Sequence, residues 1–157
     1  NGIYRGWKRD LYEGGIHVPF LARWPGHVPA GRKSEQVFAF WDMLPTIAEL
    51  TGAPIPEGID GISMANAFLG RPQQDHEYLY WEFHERGFDQ AVRLGTWKGV
   101  RRSASHGAIE LYDLAADPAE TSDSAALHPD VVRRIAAIMS SARTESAEFP
   151  VRKQAPQ

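Results

Sequence analysis

The amino-acid sequence predicts a mixed α/β chain whose second half is a small four-stranded antiparallel sheet packed by one helix. Three observations predict this. Short runs rich in aromatic and β-branched residues recur at Tyr78–Phe83, Gln90–Leu94, Trp97–Arg101 and Ile109–Leu114, too closely spaced for crossover helices. A single amphipathic segment then runs from Pro129 to about Ala147. The first half instead alternates isolated apolar stretches with helix-start and turn signals.

Taken in order, residues 1–13 are basic and aromatic until Gly14-Gly15 breaks the pattern. Ile16 to Trp24 is an apolar, β-branched run that predicts a strand, with Pro19 marking its start, an edge or a bulge. A turn-rich link from Gly26 to Lys33 leads to a second apolar stretch, Val37 to Trp41. A helix follows, with Asp42 as N-cap, Pro45 in the first turn and Thr51-Gly52 as the stop. Met43, Leu44, Ile47 and Leu50 give it helical apolar spacing. Residues 53–61 form a Pro- and Gly-rich loop, and a short helix around Ser63 to Leu69 ends at Gly70. In the sheet, Gly95-Thr96 reads as a tight hairpin turn. Pro129 suits the first helical position, and Val132, Ile135, Ala136, Met139 and Ala142 form the buried face. The last residues, through Lys153 and Pro156, read as a frayed tail. The expected division is residues 1–75, residues 76–150, and a tail over 151–157.

Composition narrows the function. With 157 residues, 43% of them hydrophobic and 24% charged, the chain has the make-up of a globular protein. No apolar run approaches the roughly 20 residues of a membrane span. A formal net charge of −3 argues against a dedicated nucleic-acid binder. Cysteine is absent, so disulfides, thiolate metal sites and a cysteine nucleophile are excluded within the chain. Zinc and EF-hand signatures, the P-loop, the nucleophile elbow and dinucleotide fingerprints are missing as well. The chain opens Asn1-Gly2-Ile3, with neither methionine nor a signal-peptide pattern, which reads as part of something longer.

The feature that stands out is Arg5-Gly6-Trp7-Lys8-Arg9 running into Tyr12-Glu13-Gly14-Gly15. Cations beside small glycines let an anion reach side chains and backbone N–H groups together. A solvated charge run, or a basic-aromatic patch for single-stranded nucleic acid, would show the same composition.

The string Lys8-Arg9-Asp10-Leu11-Tyr12-Glu13-Gly14-Gly15-Ile16, followed by Val18-Pro19 and Trp24-Pro25-Gly26, resembles the signature in the second half of sulfatase catalytic domains. The order continues with Asp42-Met43-Leu44-Pro45-Thr46, Asp60-Gly61-Ile62-Ser63 and Tyr80-Trp81-Glu82-Phe83-His84-Glu85. It closes with Leu111-Tyr112-Asp113-Leu114 and Asp117-Pro118-Ala119-Glu120. Each piece is weak alone; in this order they are specific.

The resemblance to formylglycine-dependent, arylsulfatase-like sulfatases implies the last part of an alkaline-phosphatase-like α/β domain followed by the small sheet. It implies that Lys8 contacts the sulfate group, where a compact ammonium favours bound sulfate and offsets charge developing in the transition state. Glu13 is expected to order the turn at Gly14-Gly15 through backbone N–H groups, and the glycines to supply special φ angles and close backbone approach. Asp42 and Pro45 are read as helix-start chemistry. His84 and Glu85 end a strand that borders the substrate cleft in similar sulfatases, which makes them candidate substrate contacts. Arg93, Lys98 and Arg101 are expected on an exposed face, and Trp81 and Trp97 in the core. Two departures stand out: His17 replaces the family's usual arginine, and Ser122-Asp123-Ser124 replaces an asparagine-leucine pair. Asn1-Gly2 resembles a metal-binding segment, but its spacing to Lys8 is that of another Asn-Gly, so no metal ligand is assigned.

The implied parent reaction is hydrolysis of a sulfate ester to an alcohol and inorganic sulfate. A formylglycine hydrate would attack sulfur and a divalent cation, calcium, would polarise the oxygens. Both would lie upstream, leaving this chain without activity and without a cofactor of its own. The partner would be the sulfate-ester substrate, with no nucleic acid and no membrane, and the isolated segment would expose an apolar face and self-associate. Many bacterial relatives are exported, which makes a periplasmic or secreted parent the expectation. A non-catalytic sulfate- or glycan-binding module, and a phosphatase or phosphonate hydrolase of the same superfamily, are the alternatives.

Overall fold

Alternation along the strands decides what the sheet can bury. In the computed structural model, which describes residues 1–85, 87–102 and 107–151, strands β1 (Leu79–Phe83), β2 (Asp89–Leu94), β3 (Trp97–Arg101) and β4 (Ile109–Asp113) form an antiparallel sheet in the order β1-β2-β3-β4. Leu94 pairs with Trp97 across the turn, and Gly95 has φ 61, the positive value that a two-residue hairpin requires. Val92, Gly99 and Leu111 are cross-strand neighbours on one face, while Ala91 and Val100 are neighbours on the other.

Helix α4 (Pro129–Ser141), with proline in its first turn, covers the first face. Val131, Ile135 and Met139 pack on Val92, Ile109 and Leu111, with Val132 and Ala136 at the margin. Gly99 lies beneath Ile135, where a β-carbon would overlap the isoleucine side chain. The helix ends at Ser141, short of the expected Ala147, because its apolar stripe gives way to Arg143-Thr144-Glu145-Ser146. From there Arg143 Nη2 donates to the carbonyl of Phe149 (2.6 Å). Most of the expected tail, residues 152–157 with Lys153 and Pro156, lies outside the described residues.

The second face is covered by the N-terminal segment, where the sequence predicts packing on one face only. Leu11 and Tyr12 bury against Ala91, Val100 and Tyr112, with Trp81, Phe83 and Leu114 alongside. Contacts accordingly join Asn1–Val18 to the segment from Tyr78 onward and set Pro19–Glu77 apart as a second unit. The expected division at residue 75 falls beside this boundary, but residues 1–18 group with the sheet.

The strand expected from Ile16 to Trp24, across the boundary of the two units, does not form. Glu13–Ile16 is instead a single helical turn, α1, and residues 17–24 have no paired neighbour among the described residues. Helix α2 (Met43–Thr51) follows a 3₁₀ turn at Phe40–Asp42 and stops at Gly52, whose φ of 74 suits a left-handed C-cap. Asp42 stands at its N-cap position, as expected, but its side chain makes no cap bond to the helix. Its backbone is helical (φ −76, ψ −17), and its wholly buried carboxylate accepts hydrogen bonds from Ala39 N–H (2.7 Å), Ile62 N–H (3.0 Å) and His76 Nε2 (2.9 Å). Thr46 Oγ1, also buried, accepts from Met64 N–H (2.8 Å). The Asp42-to-Thr46 and Asp60-to-Ser63 motifs are therefore one polar joint, which ties α2 to the segment leading into α3 (Ala65–Phe68).

Candidate functional site

The site grows from a turn that closes on itself. Gly14 N–H donates to Arg5 C=O (2.7 Å), Asp10 N–H to Trp7 C=O (2.9 Å), and Trp7 N–H to the Asp10 carboxylate (3.0 Å). A β-carbon at Gly14 would overlap the carbonyl oxygens of Arg5 and Gly6, and one at Gly15 those of Trp7 and Asp10. Close approach is therefore what both glycines provide. Neither has a positive φ, so the expectation of special dihedrals holds instead at Gly6 (φ 79) and, at some cost, at Arg9 (φ 81).

Lys8 stands at the tip of this turn, exposed, with no hydrogen bond or ion pair among the described residues. Arg9 beside it pairs with Glu85 through Nε and Oε2 at 2.9 Å. That contact joins the end of β1 to the turn that carries Lys8. His84 faces away from the pair: its Nε2 lies 3.1 Å from Glu82 Oε1 and its ring is 5.0 Å from that of Phe88. Of the three residues expected at the site, Glu85 is thus one residue from Lys8 through Arg9, and His84 belongs to a neighbouring cluster with Glu82. Asn1 donates to Gly6 C=O (2.5 Å) and serves the same turn.

Beneath the turn lies a buried ion cluster. Lys98, expected on an exposed face, has 0% side-chain exposure, because the N-terminal segment covers its side of β3. Its Nζ donates to Glu13 Oε1 (2.8 Å) and pairs with Glu120 Oε1 at 3.1 Å without hydrogen-bond alignment. Glu120 Oε2 in turn accepts Glu13 N–H at 2.6 Å. His17 Nδ1, at the position that departs from the family pattern, lies 3.2 Å from Glu13 Oε2. Burial pushes the Glu120 carboxyl up from its ordinary range, against the pull of Lys98. The Glu13 carboxylate, expected to take backbone N–H groups of the Gly14-Gly15 turn, is instead paired with Lys98 and His17.

A second cluster flanks the first. The Arg5 guanidinium sits 3.9 Å above the Tyr12 ring centroid and donates to Tyr112 Oη (2.7 Å) and Glu120 C=O (3.1 Å). Tyr12 and Tyr112 each donate to Glu110 Oε2 at 2.6 Å. Burial first, and then this carboxylate, raise both phenol pKa values above the ordinary tyrosine range. Trp81 and Trp97 are partly buried against the two cores, as expected.

Lys98 and Glu120 escape a reading for site residues, although signals existed. Strand alternation places Lys98 on the face of Val100, and Glu120 ends the Asp117-to-Glu120 motif. The Asp117 carboxylate accepts N–H groups of Thr121 (2.8 Å) and Ser122 (2.9 Å), closing the turn in which Glu120 takes φ 53.

Among the described residues no three His, Cys, Asp or Glu side chains converge to hold a metal ion. The chain also has no cysteine and no Ser-x-Pro-x-Arg segment, so the residues present do not fit a formylglycine or cation site.

Residues 3–144 match the model of the N-sulphoglucosamine sulphohydrolase C-terminal family, and the chain belongs to that family of sulfatase C-terminal domains. It is 33% identical, over 91% of its length, to N-acetylgalactosamine-6-O-sulfatase of Bacteroides thetaiotaomicron, and 30% identical, over 96%, to human arylsulfatase D. The crystal structure of Ps i-CgsB matches with a TM-score of 0.79 at 29% identity, covering 90% of this chain and 32% of that one. The chain spans 30% and 31% of the two sulfatases' lengths.

Proposed function

We propose that this chain is the C-terminal part of an arylsulfatase-like sulfuric ester hydrolase, in which Lys8 contacts the sulfate group of the substrate. The observation that carries the proposal is the unpaired ammonium of Lys8 on a turn otherwise locked by backbone bonds and buried ions. A cation with no protein partner, on a rigid support, is available to an anion. Arg9 and Glu85 neutralise one another beside it, so among the described residues of this turn Lys8 carries the free positive charge. Glu85, with His84 further along, would border the alcohol portion of the ester. The two relatives are named for different alcohols, a sugar and an aryl group, which favours the sulfate ester as the common element.

A formylglycine nucleophile and a calcium ion, which the residues of this segment do not fit, would have to be supplied by other residues of the parent. This chain's residues bind and orient. Lys8 would hold one sulfate oxygen and offset the charge that builds on it as the ester bond breaks.

The isolated chain would self-associate. Leu21, Phe40, Leu44 and Ile47 are 96%, 75%, 54% and 53% exposed, and the last three lie along one side of α2 and its preceding turn. The face that helix buries within the chain is instead Pro45, Thr46 and Ala48.

The test is hydrolysis of an aryl sulfate, and of the matching phosphate ester, by the polypeptide that includes the N-terminal remainder and by this chain alone. Sulfate turnover by the longer polypeptide and none by the chain is expected. Turnover by the chain alone, or a longer polypeptide that hydrolyses only the phosphate ester, would overturn the proposal.

A further inference from the structure

We propose that Lys98 and Glu120 are positioning residues for Lys8, which rests on the reading of Lys8 as the sulfate contact. The two limbs of the turn that carries Lys8 converge on Glu120. Arg5, three residues before Lys8, donates to the Glu120 carbonyl (3.1 Å); Glu13, five residues after it, donates its N–H to the Glu120 carboxylate (2.6 Å). Lys98 fixes the remaining degree of freedom by holding the Glu13 side chain at 2.8 Å. Between these anchors Leu11 and Tyr12 pack on the sheet and Arg9 pairs with Glu85 beyond the end of β1, so Arg5 and Glu13 hold the two limbs on either side of Lys8.

Stability does not explain the cluster. A buried ion cluster stabilises a fold no better than apolar residues of similar volume, and here two carboxylates face one lysine in the covered side of the sheet. Glu120 also holds φ 53, a value unfavourable for a side chain of its kind. An apolar replacement would bury the same surface but let the turn slide. Directional bonds between charged groups define one position, which an ammonium that must meet a sulfate oxygen requires.

The experiment measures inhibition by inorganic sulfate, the reaction product, in the complete sulfatase polypeptide. The variants are Lys8→Ala, Glu120→Gln, Lys98→Met, and the doubles that combine each of the last two with Lys8→Ala. Glu120→Gln is the mild variant. It keeps the volume but has one acceptor oxygen, so either Glu13 N–H loses its acceptor or Lys98 loses its second carboxylate oxygen while keeping Glu13. Lys8→Ala should weaken sulfate inhibition about tenfold or more. Glu120→Gln and Lys98→Met should each weaken it about tenfold, and neither should weaken it further once Lys8 is alanine. A merely structural role predicts the same loss in both backgrounds, and that additive result would overturn the proposal. So would a folded Glu120→Gln protein with unaltered sulfate inhibition, which decides the matter even if Lys98→Met fails to fold. Unchanged inhibition in Lys8→Ala would instead sink the reading of Lys8 itself.

Discussion

Lys98 on β3 and Glu13 at the start of α1 meet at 2.8 Å across 85 residues of sequence, with both side chains out of solvent. Removing one partner of such a pair leaves a buried charge uncompensated. Lys98→Met should therefore cost about 3–5 kcal/mol, read by urea denaturation of the complete polypeptide. Adding Glu13→Gln and Glu120→Gln should recover much of that loss. A Lys98→Met protein as stable as the parent would contradict the pairing.

Gly14 and Gly15 are predicted to reject alanine for want of space, since neither has a positive φ. The overlapping atoms are backbone carbonyl oxygens of the turn itself, which can yield only by opening it. Each alanine should cost about 1–3 kcal/mol by the usual cost of overpacking. Gly2, by contrast, has φ 59 with open space around it, so a Gly2→Asn change should cost little. Equal melting temperatures for Gly14→Ala and the parent would show that the turn is looser than described.

Alkaline pH should loosen the Arg5 cluster. Burial and the Glu110 carboxylate raise Tyr12 and Tyr112 in the folded state, so the folded protein keeps protons that the unfolded chain releases near its ordinary pKa of about 10. Stability from these groups is complete below that value and is lost as pH rises through the folded values. Burial also pushes Tyr80, which donates to Glu82, up to about 12. Phenolate absorbance should show these tyrosines ionising late, together with unfolding, and Glu110→Gln should bring Tyr12 and Tyr112 down. Ionisation of every tyrosine near the free value, with the fold intact, would refute the cluster.

The apolar side of α2 predicts how the isolated chain behaves. Light scattering should show mass rising with concentration, and Leu44→Glu with Ile47→Lys should reduce it without lowering the melting temperature. A monodisperse monomer at high concentration would argue that this side needs no cover.

Strand existence was legible because aromatic and β-branched residues cluster where ladders form, and because Gly95-Thr96 marks its own turn. Helix α4 was legible from Pro129 and from the spacing of Ile135 and Met139. Asp42 misled because an aspartate before a helix is ordinarily its cap, whereas here the acceptors serve Ala39, Ile62 and His76, the last 34 residues away. Lys98 misled for a similar reason. A lysine in a hairpin usually faces water, and only the distant segment Leu11–Glu13 makes its face an interior one. Ile16–Trp24 reads as a strand because its composition suits one, but a strand also needs a partner, which no local pattern supplies. The candidate site followed the same rule. Lys8 is proposed from its motif, while the residues that hold its turn come from β3, β4 and the Asp117 turn.

The most direct measurement is kcat/KM for an aryl sulfate with Lys8→Ala in the complete sulfatase polypeptide, alongside its melting temperature. Lys8 is exposed and has no partner among the described residues, so the melting temperature should not change. The loss in kcat/KM should be about 10²–10³-fold, the range for removing one electrostatic contact to a developing oxyanion. A Lys8→Ala enzyme that turns over the aryl sulfate within a factor of about two of the parent would contradict the assignment of Lys8 to the sulfate group.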